Sequence, residues 1–334
     1  MKIGIVGLGR VGKIHLTNLV QYFPDIEVVI VSDPVPDTHA FAHNLGVAQV
    51  VVDAGEVLRN PEVEAVIICS PTPFHIPYVK LAASHGKHIF CEKPLDVELE
   101  SIREAQQVVE EHGVKLMVGF NRRFDDNFSK VRELVLNGKI GEPHLLRITS
   151  RDPAPPPLEY IKVSGGIFLD MSIHDFDMAR YIVGSEVVEV YVKGAALVNP
   201  EIATLGDIDT ALIVLTFANG AIGVIDNSRQ AVYGYDQRLE ILGSEGMAKA
   251  ENRHENDVVF AGKEGVTGSL PLYFFLERYE KAFRACLGAF LASIQNNTPS
   301  PVDAHDGLMA TAIGKAARVS LIERRPVKMN EILP

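Results

Sequence analysis

The sequence predicts two domains, an α/β domain with a doubly wound parallel sheet over residues 1–121 and an α+β domain with a large, mainly antiparallel open sheet over residues 122–334. The first prediction comes from short runs rich in Val and Ile that alternate with helical stretches up to about residue 120. The second comes from successive apolar runs separated by short turn signals beyond residue 121. A chain of 334 residues is long enough for two separate cores.

The first domain contains six runs that lack the period-2 alternation of half-exposed strands, so we predict strands buried on both faces. These runs are 2–6, 27–32, 50–52, 65–69, 88–91 and 115–119. Between them, Thr72 is placed to cap a helix with Pro73 at its first position, and Asp96 is placed to cap a helix over 97–112. Repeated strand–helix–strand units give parallel strands joined by right-handed crossovers.

The second domain begins with a change of rhythm. Residues 153–157, four of them proline, predict a stiff, extended loop. Further strands are predicted over 187–195, 210–217, 221–225, 238–242 and 257–261. Two long helices, over 276–296 and 306–323, close the chain.

Composition excludes several classes of protein. The formal net charge of −11 disfavours nucleic acid or an anionic membrane as a partner, because phosphate groups would be repelled. No run of about 18 apolar residues is present to span a bilayer, and the N-terminus enters a strand without a signal-peptide pattern. The 3 cysteines are too few and too scattered for a disulfide framework or a zinc site. A reducing cytoplasm fits best.

A glycine-rich loop directly follows the first predicted strand. Gly7, Gly9 and Gly12 form a G-x-G-x-x-G pattern, with Arg10 and Val11 at the start of the next helix. Such a loop turns tightly, lets backbone approach a pyrophosphate and packs helix on strand, while the helix N-terminus supplies N–H donors. We therefore expect these five residues to bind a dinucleotide, as in a Rossmann domain.

The acidic residue Asp33 ends the second predicted strand, 21 residues after Gly12. A carboxylate at this position accepts hydrogen bonds from the ribose hydroxyls and repels a 2′-phosphate, which favours NAD over NADP as the cofactor. The alternative is a tight strand-to-helix turn followed by a solvated Asp33.

Ser70, Thr72 and His75 follow the fourth predicted strand, and Glu92 and Lys93 follow the fifth. Because the carboxyl ends of parallel strands form the ligand-facing edge, we expect these side chains to lie at the cofactor. Thr72 either contacts the cofactor or only caps its helix. Lys93, restrained by the proline that follows it, either relays the proton of a substrate hydroxyl or is an ordinary surface lysine. A ribose or Lys93 is the candidate partner of Glu92.

A second group of polar residues lies in a predicted helix over 170–183, which ends at Gly184. At about 100° per residue, Asp170, His174 and Asp177 share one stripe, and the remaining surface is mostly apolar. An aspartate beside a histidine holds the imidazole as a proton acceptor. The alternatives are a structural His–Asp pair with a helix cap from Asp170, or a metal site, which a nicotinamide hydride acceptor makes unnecessary.

These features together resemble the Gfo/Idh/MocA family, the glucose–fructose oxidoreductase/inositol dehydrogenase family. The resemblance runs the whole length of the chain and is carried by Gly7–Gly12, by Glu92-Lys93-Pro94, and by Gly165-Gly166 with Asp170, His174-Asp175 and Asp177. Residues 150–160 and 233–237 look more narrowly like the bacterial inositol dehydrogenases of that family. Some of those carry His-Arg-Asn-Pro where this chain has Ser150-Arg151-Asp152-Pro153.

The resemblance implies an enzyme in which Lys93, Asp170 and His174 are the catalytic group, with His174 taking the hydroxyl proton. It also implies tetramers that form through the open face of the second domain's sheet. Further substrate contacts are implied for Arg123, Asp152, Asp177 and Tyr235.

The implied reaction is NAD-dependent oxidation of a secondary hydroxyl on a cyclic polyol, with myo-inositol giving 2-keto-inositol (scyllo-inosose). Two enzymatic alternatives are a related sugar or cyclitol dehydrogenase and an NAD-using glycosidase that oxidises its substrate transiently. A non-catalytic NAD-binding regulator is a third alternative, but it would not require Lys93, Asp170 and His174 together.

Overall fold

The chain divides into two compact units in a computed structural model that describes residues 1–333. The first unit combines Met1–Asn121 with Lys281–Thr311, and the second combines Arg122–Glu280 with the residues from Ala312 onward. This differs from the predicted division, which placed residues 281–311 in the second domain.

Aromatic packing explains why residues 281–311 belong to the first unit. Phe283 and Phe290 lie edge-on to His15 and Phe90, with ring centroids 5.9 Å and 5.7 Å apart. All four side chains are buried, so this part of the chain completes the core of the first unit. The sequence pattern shows that the helix is amphipathic but not which sheet it covers.

The first unit is built on a parallel sheet of six strands in the order β3-β2-β1-β4-β5-β6. The strands are β1 Lys2–Val6, β2 Glu27–Ser32, β3 Gln49–Val51, β4 Ala65–Ile68, β5 His88–Cys91 and β6 Leu116–Val118. This order reverses direction between β1 and β4, where α/β sheets bind their ligands. The doubly wound sheet is as predicted, with strand ends shifted by one residue in β3, β4 and β6.

Five helices connect these strands: α1 Arg10–Tyr22, α2 His39–Asn44, α3 Ala54–Arg59, α4 His75–Ser84 and α5 Leu99–Glu111. The capping alternative for Thr72 is wrong, because a 3₁₀ turn over Thr72–Phe74 precedes α4 and Thr72 makes no capping bond. Asp96 accepts from the backbone N–H groups of Val97 and Glu98, but α5 begins only at Leu99. Asp96 therefore stabilises the turn before the helix.

The second unit is built on a seven-stranded sheet in the order β12-β11-β7-β10-β9-β8-β15. Its strands are β7 Pro143–Arg151, β8 Val187–Ala195, β9 Thr210–Phe217, β10 Ile222–Ser228, β11 Asp236–Gly243, β12 Met247–Ala250 and β15 Val327–Lys328. All neighbours are antiparallel except β7 and β10. The run predicted over 257–261 is instead part of a separate hairpin, β13 Val259–Gly262 with β14 Gly265–Gly268.

Helices cover one face of this sheet or connect its strands. They are α6 Asp126–Leu136, α7 Leu158–Ile161, α8 Gly166–Asp170, α9 Ile173–Val183, α10 Glu201–Thr204 and α11 Phe275–Arg278. Two further helices, α12 Glu280–Gln295 and α13 Ala304–Glu323, each have residues in both units. Within residues 1–333, none of these helices is long and apolar enough to cross a membrane.

The single helix predicted over 170–183 is wrong, because the chain forms α8 and α9 with a break between them. The N–H groups of Met171 and Ser172 both donate to the carbonyl of Ile167, at 3.0 Å and 2.9 Å, which ends α8. Helix α9 then runs to Gly184, whose φ of 71° is the left-handed conformation expected of a C-terminal glycine.

Candidate active site

The loop after β1 has the geometry that a pyrophosphate cradle requires. Gly7 has φ +94°, and a Cβ on Gly12 would lie 2.0 Å from the carbonyl oxygen of Gly7. Nothing lies within 4 Å of a Cβ built on Gly9, so backbone at this position is open to approach. Gly9 is also the N-cap of α1 and makes no side-chain capping bond there, and a helix N-terminus of this kind suits an anion.

Asp33 is held against this loop at the end of β2. Its Oδ2 accepts from the N–H of Leu8 at 2.5 Å, and its Oδ1 accepts from the N–H of Val35 at 2.8 Å. The side chain is 6% exposed. Because a carboxylate offers about four lone-pair sites, ribose hydroxyls can still donate to it, while its negative charge opposes a phosphate. Arg10 and Val11 lie in the first turn of α1.

The loop after β4 leads to two of the predicted cofactor contacts, Ser70 and His75. The Oγ atom of Ser70 is buried and has no hydrogen-bond partner among residues 1–333. His75 is 1% exposed, with Nδ1 2.7 Å from the carbonyl oxygen of Pro94 and Nε2 2.7 Å from that of Ser70. Burial lowers the pKa of His75, and the contacts with the carbonyls of Pro94 and Ser70 act in the opposite direction. His75 thus lies between two backbone segments, and its contact with the cofactor stays a prediction.

The segment after β5 places Glu92 in contact with a residue that sequence reasoning missed. Glu92 Oε1 lies 2.7 Å from Nε2 of His15, which is on α1 and fully buried. The predicted partners of Glu92 were a ribose and Lys93. Lys93 itself is partly buried and precedes a cis peptide bond to Pro94.

In the second unit, Asp170 is held by two donors at the end of α8. Its Oδ1 accepts from the hydroxyl of Tyr160 at 2.9 Å, and its Oδ2 accepts from Nη1 of Arg229 at 3.1 Å. Arg229 is 1% exposed, whereas the Asp170 side chain is 15% exposed. His174 lies in the first turn of α9 and is partly exposed. Although the helix is broken, two of the three predicted polar residues therefore remain accessible.

Asp152 lies just beyond β7 among several charged side chains. Burial raises the pKa of its carboxyl group from 3.8 to about 6, and the negative charge of Asp170 adds to this. The positive charges of Arg229 and Arg122 act in the opposite direction. These interactions place Asp152 in the same polar cluster as Asp170 and Arg229.

Beneath this cluster lies a network centred on Asp175, which is fully buried. Arg122 donates to Asp175 at 2.6 Å, and Nδ2 of Asn227 donates to it at 2.9 Å. Burial raises the pKa of Asp175 and the charge of Arg122 lowers it. Ser172 donates to the side-chain oxygen of Asn227 at 2.5 Å, so the break before α9 is tied to β10.

Three residues that were predicted to contact substrate are buried in the second unit. Arg123 donates to both carboxylate oxygens of Asp177, at 2.8 Å and 2.5 Å, and both side chains are at most 9% exposed. Tyr235 is 5% exposed, and its hydroxyl lies 3.3 Å from Nη2 of Arg122. Each of the three is buried and bonded to other side chains, and their contact with substrate stays a prediction.

The residues that sequence reasoning missed are the partners of predicted ones: His15, Arg122, Asn227 and Arg229. Each lies outside the motifs quoted above, and no local pattern identifies it. Among residues 1–333, no group of three or more His, Cys, Asp or Glu side chains is placed to hold a metal ion.

The fold and these two sets of residues define a dinucleotide-dependent enzyme, with a glycine-loop domain and an α+β domain that carries a polar cluster. Residues 1–120 match the sequence profile of the oxidoreductase family with an NAD-binding Rossmann fold, and residues 128–249 match the GFO/IDH/MocA C-terminal domain. The chain belongs to the GFO/IDH/MocA family and is an NAD-dependent oxidoreductase. The predicted fold class, family and cofactor are confirmed.

Several relatives match over their whole length. The myo-inositol 2-dehydrogenase of Thermotoga maritima is 50% identical, with 100% of each chain covered. The inositol 2-dehydrogenase of Rhizobium meliloti is 42% identical, covering 98% of this chain and 99% of the relative. A solved structure of scyllo-inositol dehydrogenase from Lactobacillus casei, with bound NAD(H) and scyllo-inositol, is 34% identical with a TM-score of 0.92 and covers 99% of both chains.

Proposed function

We propose that this protein oxidises a secondary hydroxyl of myo-inositol with NAD and forms 2-keto-inositol (scyllo-inosose). The observation that carries the proposal is the polar cluster of the second unit, in which Asp170 is held by two donors and lies near Asp152. A cluster of fixed carboxylates suits a ligand with many hydroxyl donors. The full-length similarity to inositol dehydrogenases of several bacteria supports the same substrate.

In the proposed reaction the alcohol carbon loses a hydride and its hydroxyl loses a proton, which leaves a ketone. NAD, when bound, supplies the hydride acceptor. His174 accepts the hydroxyl proton, since a neutral imidazole is a base suited to neutral pH. Asp170, fixed by Tyr160 and Arg229, orients the substrate hydroxyls, and Lys93 hydrogen-bonds the reacting oxygen.

We assign the cofactor contacts to the glycine loop and to the strand ends that follow it. Gly7, Gly9, Arg10, Val11 and Gly12 would hold the pyrophosphate, and Asp33 the ribose, with Ser70, Thr72 and Lys93 as further contacts. Direct substrate contacts are proposed for Lys93, Asp152, Asp170 and His174. We assign Glu92 and His75 to holding the backbone near Lys93, because both are buried and bonded to other parts of the first unit.

We further propose a cytoplasmic homotetramer that assembles through the open face of the seven-stranded sheet. Leu212, Ile222 and Leu242 are 49%, 48% and 43% exposed, and an apolar sheet face of this kind is usually covered. None of the three cysteines forms a disulfide, in keeping with a reducing compartment. Light scattering on the purified protein measures the assembly, and a monomer would contradict it.

The function is tested by following NADH absorbance with a panel of cyclitols and pyranoses and with both NAD and NADP. We expect myo-inositol and NAD to give sustained NADH formation. A cleaved glycoside without net NADH would instead identify a glycosidase. No turnover with any member of the panel would contradict the proposal.

A further inference from the structure

His15 is a buried histidine on α1 that no part of the proposed reaction uses. It is 0% exposed, and its Nε2 lies 2.7 Å from Oε1 of Glu92. Because carboxylate oxygens only accept hydrogen bonds, Nε2 carries the proton and donates it. The ring lies edge-on to Phe90 and Phe283, with centroids 5.1 Å and 5.9 Å away.

The other ring nitrogen determines which form of His15 fits this position. Nδ1 is buried and has no hydrogen-bond partner among residues 1–333. A proton on Nδ1 would therefore be an unsatisfied donor between aromatic rings, which is costly. His15 therefore makes its hydrogen bond through Nε2, and Glu92 receives it.

The Glu92 carboxylate also packs against Gly119, just beyond β6. A Cβ on Gly119 would lie 2.9 Å from the carboxyl carbon of Glu92, so only glycine leaves room for this side chain. Glu92 is 9% exposed, and its backbone N–H donates to the carbonyl of Ile68 at 2.9 Å. Its carboxylate is thus enclosed, with His15 as its hydrogen-bond donor.

A second buried histidine holds the other end of the same tripeptide. Nδ1 of His75 lies 2.7 Å from the carbonyl oxygen of Pro94. The segment from Glu92 to Pro94 therefore contacts α1 at its first residue and α4 at its last. Lys93 is the residue between these two contacts.

We propose that His15 is a positioning residue that acts through Glu92 on Lys93. Removing the N–H donor would leave a buried carboxylate without this hydrogen bond, and Glu92 would have to move or change its protonation state. Either response displaces the peptide that carries Lys93 or alters the charge beside it. The inference rests on the proposed catalytic part of Lys93.

The test compares His15→Phe with His15→Gln. Phenylalanine keeps the aromatic packing but cannot donate, whereas the amide nitrogen of glutamine lies near the position of Nε2. His85→Phe, at an exposed site after α4, is the matched control. Lys93 is observed directly in the apoenzyme by NMR, after reductive methylation converts the lysine amines to ¹³C-dimethylamines. The Lys93 resonance is assigned as the one that is missing from the spectrum of Lys93→Arg.

We expect His15→Phe to shift the Lys93 resonance and to lower kcat for myo-inositol by about 10- to 100-fold, the usual cost of a misplaced catalytic group. The NADH dissociation constant of His15→Phe should stay within about threefold of the wild-type value. It is measured by the fluorescence of the cofactor, and there is no tryptophan emission because the chain has no Trp. His15→Gln should restore the resonance and most of kcat. In a Glu92→Gln background, His15→Phe should cause little further change.

An unshifted Lys93 resonance in His15→Phe would overturn the proposal, as would equal losses in the phenylalanine and glutamine variants or additive losses in the double variant. If His15→Phe does not fold, His15→Asn replaces it, because its shorter amide does not reach Glu92. The resonance is read without substrate, so a failure of the proposed reaction on inositol would not affect it.

Discussion

Replacing Asp152 with asparagine removes a carboxyl group whose pKa burial raises from 3.8 to about 6. Because the folded protein holds this proton more tightly than the unfolded chain, the group contributes stability that is fully present below about pH 3.8 and lost as the pH rises through about 6. A pKa difference of about two pH units corresponds to ~3 kcal/mol. The free energy of unfolding of Asp152→Asn, minus that of the wild type, should therefore rise by ~2 kcal/mol between pH 4 and pH 7, because part of the change already occurs below pH 4.

Urea unfolding followed by circular dichroism, with refolding checked at each pH, measures this difference. Asp257→Asn is the matched control, because Asp257 is exposed and lies in the same unit. Its difference from wild type should stay flat across the range. A flat or falling difference for Asp152→Asn would refute the reasoning that burial disfavours the charged form of the Asp152 carboxyl group.

The remaining predictions concern catalysis and cofactor choice. His174→Ala and Lys93→Ala should each lower turnover of myo-inositol by roughly 10²–10⁴ without loss of helical circular dichroism, and full activity in either variant would exclude that residue from the chemistry. Asp33→Ser should raise the ratio of kcat/KM for NADP to that for NAD by about tenfold, or ~1.4 kcal/mol, because the charge that opposes a 2′-phosphate is removed. An unchanged ratio would exclude Asp33 from the cofactor site. Arg229→Met should lower kcat by about tenfold, because Asp170 loses the hydrogen bond from Nη1 of Arg229, and wild-type kcat would show that this donor is unnecessary.

The parallel sheet could be predicted in detail because its strands are buried on both faces. Runs such as 2–6 and 88–91 are mostly apolar and lack period-2 alternation, and turn residues follow them, so β1 and β5 match the prediction. The break between α8 and α9 could not be predicted, since both flanking segments have helical patterns. It arises where two N–H groups share the carbonyl of Ile167, and where Ser172 bonds to Asn227, 55 residues away.

The candidate site was predictable only where its residues belong to one motif. The glycine loop and Asp33 are such cases, because each motif states both its residues and its place after a strand. The ion pair of Arg123 with Asp177 joins residues 54 apart, and the pair of His15 with Glu92 joins residues 77 apart. Such partners are set by how the elements pack, which helical or strand periodicity does not encode.

The most direct test of the central claim uses myo-inositol that carries deuterium at carbon 2, with mass spectrometry of the reduced cofactor. Transfer of the ring hydride to NAD predicts one deuterium in the NADH and scyllo-inosose as the product. Unlabelled NADH, or no reduction of NAD by this substrate, would contradict the account.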